Sequence, residues 1–260
     1  MHLKTSRNIV RLISILSLSL AAFAQQQPTI PTTGFPGLDQ YRASRIAMFT
    51  DDFGQLSRYR AANASLAAPA ANENRVVFFG DSITDIWTLP DSFPGKPYIN
   101  RGIGGQTTPQ MLVRYRQDVI DLHPKVVVIL AGTNDIAGNT GPMLLPDIEA
   151  NYATFAELSR LHEIRVVFSS LLPVNDYTPR AKDFFAQRSQ AKILELNRWL
   201  KAYCSANGYE YLDYFTAMVD EKGMLKRDLT EDGLHPNVAG FKVMAPLAEA
   251  AIQKSLTMKP

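Results

Sequence analysis

Five short strand-like runs, each followed by enough chain for a helix, constrain this sequence more than any other feature. They are Arg75–Gly80, the weaker Tyr98–Asn100, Lys125–Ala131, Ile164–Ser169 and Tyr209–Leu212. The clearest, Lys125–Ala131, is apolar at nearly every position rather than at alternate ones, which is the pattern of a strand buried on both faces. Among the intervening segments, Thr107–Leu122, Leu145–His162, Arg180–Asn207 and Asn237–Leu256 carry apolar residues at helical spacing. Gly208 follows the third of them as a natural C′ residue. Strands alternating with helices of this length predict an α/β fold with a mainly parallel sheet covered on both sides. In such sheets ligands bind beyond the carboxyl ends of the strands, so those ends deserve the closest reading.

The N-terminus reads as a secretory signal. Basic Lys4, Arg7 and Arg11 precede the apolar run Leu12–Ala24, which closes on the small-x-small pattern Ala22-Phe23-Ala24. The run is short for a bilayer span, so cleavage after Ala24 is expected, with a retained anchor as the alternative. A secreted or periplasmic location with no stable membrane insertion follows. Residues 25–37, rich in Gln, Pro, Thr and Gly, read as a flexible lead-in. Residues 38–62 read as a helical segment broken near Asp51-Asp52. With no internal repeat and no change of composition, 38–260 is expected to form a single domain.

The 27 basic and 25 acidic residues include the three basic residues of the signal, whose removal leaves 24 against 25. A near-neutral mature chain offers no electrostatic reason to bind nucleic acid. A lone cysteine, Cys204, can form no internal disulfide and sits in an apolar-periodic helix, as a packed core thiol would.

Four places concentrate chemistry. Gly80-Asp81-Ser82-Ile83-Thr84 follows the first strong strand. Ser82 there is either a helix cap or an exposed nucleophile whose own N–H is free at a helix start. Asn100-Arg-Gly-Ile-Gly-Gly105 follows the second run. It is either a plain turn or a loop that aims the Gly105 N–H at a developing oxyanion. In Gly132-Thr-Asn-Asp135, the Asn134 amide can donate into the crevice or serve an Asx turn, and Asp135 suits a structural pairing. Asp232-Gly-Leu-His235-Pro236 places a carboxylate and an imidazole three apart on one loop. They read as an orienter and a general base, with a surface histidine as the alternative. Pro236 keeps His235 out of the helical region and opens the last helix.

Taken together, these blocks closely resemble the SGNH hydrolase family, also called GDSL esterases and lipases. The matching residues are Ser82, Gly105, Asn134 and His235 with Asp232, over residues 75 to about 250. Within the family they look most like the branch of platelet-activating-factor acetylhydrolase small subunits and bacterial acyl esterases. The resemblance implies a three-layer α/β/α sandwich on a five-stranded parallel sheet, flavodoxin-like in kind. It also implies ester hydrolysis with no cofactor and no metal. Many relatives carry Asp after the second-block glycine where this chain has Gln106.

The expected catalytic residues are therefore Ser82, Asp232 and His235, with Ser82, Gly105 and Asn134 holding the oxyanion. Asp81, Gln106, Asp135 and Asn175 are candidates for the substrate pocket, with Trp87, Tyr98 and Tyr177 as further wall candidates. The expected substrate is a small-molecule or glycan ester with a short acyl group such as acetyl, since no long insertion offers a lipid-binding lid. A lysophospholipase or thioesterase of the same family is the alternative. A non-catalytic carbohydrate-binding module is the alternative of a different class. Phosphoryl transfer through Asp81 is disfavoured, because no second acid stands at Ile83. Oligomeric state is not legible.

Overall fold

The computed structural model describes residues 32–258. The signal reading of 1–24 and most of the lead-in lie outside the described residues. The sheet consists of β1 (Val76–Gly80), β2 (Tyr98–Gly102), β3 (Val126–Leu130), β4 (Arg165–Ser169) and β5 (Glu210–Leu212). All pairings are parallel and the order is β2-β1-β3-β4-β5. The five-stranded parallel α/β architecture expected from the sequence is thus the one observed.

The helices are α1 (Pro36–Asp51), α2 (Ser57–Ser65), α3 (Ser82–Asp85), α4 (Leu89–Ser92), α5 (Thr108–Asp118) and α6 (Thr133–Ala137). They continue with α7 (Leu145–Leu161), α8 (Pro179–Gln187), α9 (Gln190–Asn207), α10 (Tyr214–Met218) and α11 (Val238–Thr257). Successive strand residues point to opposite faces, so the apolar strands feed two cores. Val77, Phe79, Val127, Ile129, Val166 and Phe168 pack with the apolar sides of α5, α7 and α9. Val76, Phe78, Val126, Val128 and Val167 pack with α4, α10 and α11. No helix among the described residues is long and apolar enough to cross a membrane.

Cys204 is buried in the first of these cores, where burial pushes its thiol up to about 12. Trp87 and Tyr98 do not line a ligand pocket. Trp87 packs in the second core and stacks on Phe241 at 4.9 Å. The Tyr98 hydroxyl donates to Glu249 of α11 at 2.8 Å. The Tyr177 hydroxyl donates to Asp220 beside a separate surface hollow.

Two helical expectations are corrected in detail. The 38–62 segment breaks where the Asp52 carboxylate accepts from the Leu56 and Ser57 N–H groups, a local competitor for helix bonds. The segment read as one helix over 180–207 is two. The chain leaves the helical region at Arg188, with φ −117° and ψ 90°, and Ser189 caps α9 by accepting from the Lys192 N–H. That break turns Arg188 inward.

The strand ends are pinned by a fully buried guanidinium. Arg114 on α5 donates to the Gly80 and Arg101 carbonyls at 2.9 and 2.8 Å, to Gln106 Oε1 at 2.6 Å and to Asp118 at 3.1 Å. The loops after β1 and β2 are therefore held against each other before any ligand arrives.

Candidate active site

At the carboxyl edge, β1 runs directly into α3, with Ser82 as its first residue. The helix cap is Asp81, not Ser82: its Oδ1 accepts from the Ile83 N–H at 3.0 Å. The Ser82 hydroxyl is left for other work and lies 2.9 Å from His235 Nε2. His235 Nδ1 lies 2.8 Å from Asp232 Oδ2. The other carboxylate oxygen accepts from the His235 and Leu234 N–H groups at 2.8 and 3.1 Å. Burial alone would raise the Asp232 pKa, but the hydrogen bonds from the His235 ring and backbone and from Leu234 outweigh it. They hold the carboxyl well below its usual range. An ionised carboxylate only accepts, so the neutral imidazole carries its proton on Nδ1 and offers the Nε2 lone pair to Ser82. The Phe184 ring meets His235 edge-on at 5.9 Å and backs the imidazole.

Gly105 sits at φ +78°, a conformation that suits glycine, and a Cβ there would run into the Tyr41 phenol. Its carbonyl is tied by Asn139 Nδ2 at 2.9 Å and by the Tyr41 hydroxyl at 3.4 Å. Asn134, on the first turn of α6, donates from Nδ2 to the Gln106 carbonyl at 3.0 Å and lies 3.4 Å from Asp81 Oδ2. Its Oδ1 accepts from Arg188 Nη2 at 3.0 Å. Ser82, Gly105, Asn134 and His235 all face one cavity of about 450 Å³, which Leu38, Tyr41, Phe184 and Arg188 help enclose. Among the described residues, no group of three His, Cys, Asp or Glu side chains is placed to hold a metal ion.

The four pocket candidates lie elsewhere. Asp81 is fully buried beneath Ser82 as a cap, and Gln106 is turned inward to Arg114 and the Gly54 carbonyl. Asp135 accepts from the Thr108 N–H at 2.9 Å and so anchors the start of α5. Asn175 donates to the Leu225 carbonyl at 2.8 Å, while its own N–H holds the Gly233 carbonyl of the His235 loop at 2.9 Å. None of the four is on the wall of the Ser82 cavity. Polar residues at these strand and loop ends turn inward to satisfy loop backbone and buried partners. The remaining walls come from α1, α8 and the residue after α8, where Tyr41, Phe184 and Arg188 stand in no recognisable motif. The one available signal is Arg188 itself, a charged residue inside the apolar-periodic segment Arg180–Asn207.

Burial pushes Asp81 up to about 6 from 3.8. Between these values the native protein holds a proton that the unfolded chain has lost, so stability falls as pH rises from 4 to 6. One such group accounts for about 1.4 kcal/mol per pH unit. Urea unfolding of Asp81→Asn is expected to show a shallower decline over this window than the parent. Identical slopes would remove Asp81 as the source.

With this geometry established, comparison with other proteins places the chain. The fold is a five-stranded parallel α/β sheet with flanking helices, with a serine and a histidine meeting at the sheet edge. The profile of the GDSL-like lipase/acylhydrolase family matches residues 78–243. A GDSL-like lipase from Bacteroides thetaiotaomicron is 42% identical, with 78% of this chain and 99% of that one covered and a TM-score of 0.72. An uncharacterized lipoprotein of Bacillus subtilis is 33% identical over 112 residues, a match that takes in 40% of this chain and 46% of that protein's length. An acetylxylan esterase from Geobacillus stearothermophilus shares the fold at 20% identity and a TM-score of 0.56, over 75% of this chain and 99% of that one. The chain belongs to the GDSL-like lipase/acylhydrolase family and is an ester-bond hydrolase.

Proposed function

We propose that the protein is an exported serine esterase that removes short acyl groups, acetyl foremost, from carbohydrate or similar esters. The observation that carries the esterase reading is the continuous relay from Asp232 through His235 to Ser82, with both links at hydrogen-bond distance. His235 takes the Ser82 proton as Oγ attacks the ester carbonyl, then returns it to the leaving alcohol. Water activated by the same imidazole releases the acid. Through both steps the N–H groups of Ser82 and Gly105 and the Asn134 amide hold the negative oxygen. Residues 1–24 act as the export signal and 38–260 as one hydrolase domain. Arg180, Asp183, Gln187 and Asn139 give the cavity a polar rim suited to a hydroxyl-rich leaving group.

A second reading, a lysophospholipase or thioesterase, has its own observation. A groove of about 680 Å³ adjoins the cavity, sharing Leu38, Asn139 and Gln187 with it, and Phe35, Ile46, Phe49 and Met143 make it largely apolar. A longer acyl chain would fit there. A series of p-nitrophenyl esters from acetate to palmitate separates the readings. Acetate is expected to give the highest kcat/KM, and a maximum at eight carbons or more would replace the acetyl assignment. No turnover of any member would overturn the esterase itself.

A further inference from the structure

We infer that Arg188 is a positioning residue that fixes which end of the Asn134 side-chain amide faces the bound ester. The inference rests on the proposed role of Asn134 in holding the oxyanion. A primary amide has one donor end and one acceptor end of nearly the same shape, and only the donor end can stabilise a negative oxygen. Nothing within the Asn134 side chain selects between the two orientations. Arg188 does so at one end, because a guanidinium can only donate and therefore demands the carbonyl, and the Gln106 carbonyl, which can only accept, favours the same orientation at the other. Arg188 Nη2 meets Asn134 Oδ1 at 3.0 Å, which leaves Nδ2 toward the Gln106 carbonyl and toward Asp81 Oδ2, the residue next to Ser82.

The guanidinium is itself held. Nε donates to Thr133 Oγ1 at 3.1 Å and Nη1 reaches the Phe184 carbonyl at 3.4 Å. The plane is fixed by residues on both sides of the cavity, and Arg188 is only 3% exposed. Among the described residues, no carboxylate oxygen lies within ion-pair distance of it. Contrast Arg114, which is equally buried but pairs with Asp118. A buried cation whose direct contacts are all neutral acceptors is a poor stabiliser of a fold, since Asp81 and Asp232 offset its desolvation only from beyond ion-pair distance. Its position is better explained by the amide it orients. The chain even interrupts a helix to deliver it, since Arg188 occupies the extended junction between α8 and α9.

The test is a double-mutant cycle with Asn134→Ala and Arg188→Gln, read as kcat and KM on p-nitrophenyl acetate and as inhibition by a trifluoromethyl ketone. That ketone adds to the serine and mimics the tetrahedral intermediate. Asn134→Ala is expected to lower kcat about a hundredfold. Arg188→Gln should lower kcat by roughly ten- to a hundredfold with KM within threefold, and should weaken the ketone in parallel. In the Asn134→Ala background the same change should cost less than threefold, because there is no amide left to orient. Arg188→Met, which keeps a long stem but no donor, should fail as Arg188→Gln does. It carries the test if the glutamine variant does not fold.

Losses that multiply in the double variant would overturn the inference. So would full activity in Arg188→Met, or a change confined to KM for esters bearing an anionic group. The last result would make Arg188 a substrate-anion site instead. An unchanged kcat in Asn134→Ala would fail the proposed oxyanion role itself. A hundredfold loss there with multiplying costs would leave that role standing and reject only the part given to Arg188.

Discussion

Replacing Ser82 by alanine is expected to lower kcat by on the order of a millionfold and to abolish covalent labelling by a fluorophosphonate, with the fold intact. The magnitude follows from the loss of the one hydroxyl among the described residues at hydrogen-bond distance from His235 Nε2. Without Oγ there is no acyl-enzyme, and what turnover persists comes from water reaching a carbonyl still polarised by the oxyanion donors. The fold is spared for a local reason. Asp81, not Ser82, caps α3, so the alanine variant leaves no helix end unsatisfied. His235 keeps its bond to Asp232, so no buried ring nitrogen is orphaned on that side. Steady-state rates on p-nitrophenyl acetate, with thermal unfolding as a control on structure, measure both halves. A variant that retains turnover within tenfold of the parent, or that still accepts the probe, would remove Ser82 from the nucleophile's place.

How much of this was legible without coordinates depended on the range of the interactions. The runs around Phe78 and Val127 announced buried strands, because burial on both faces leaves an uninterrupted apolar signature in the sequence itself. The blocks around Ser82, Asn134 and His235 were visible because their chemistry needs particular residue types at strand ends. The cavity walls were not visible. Arg188 acts on Asn134 from 54 positions away, and Tyr41 reaches Gly105 from 64. Neither distance leaves a local pattern. Asp81, Gln106 and Asn175 are polar and near strand ends, which suits a pocket wall, yet each is turned inward to satisfy buried or loop partners. A polar residue at the rim has two calls on it, ligand and backbone, and periodicity does not distinguish them.

Asp232→Asn is expected to reduce kcat about ten-thousandfold while leaving the loop in place. The two oxygens of Asp232 do different jobs. Oδ1 accepts from the His235 and Leu234 N–H groups, and Oδ2 faces His235 Nδ1. An asparagine must put its carbonyl where two backbone N–H groups already point, which sends its NH₂ toward the ring. That NH₂ can only donate, so Nδ1 must accept and the imidazole proton moves to Nε2, facing Ser82. The lone pair that should take the Ser82 proton is then blocked by the ring's own proton, and the imidazolium formed in the transition state loses its counter-charge. Asp232→Ala should differ by also losing stability, because it strands the two backbone donors that asparagine keeps. The acid side of the stability profile should change as well. The native Asp232 pKa lies below its ordinary 3.8, so its contribution is present above that value and disappears as pH falls through the native pKa. The asparagine variant should lack that dependence. Proton NMR offers the direct reading: a downfield His235 Nδ1–H resonance in the parent that vanishes in Asp232→Asn. A variant with that resonance intact, or with kcat within tenfold, would separate Asp232 from the relay and leave His235 to be oriented by something else.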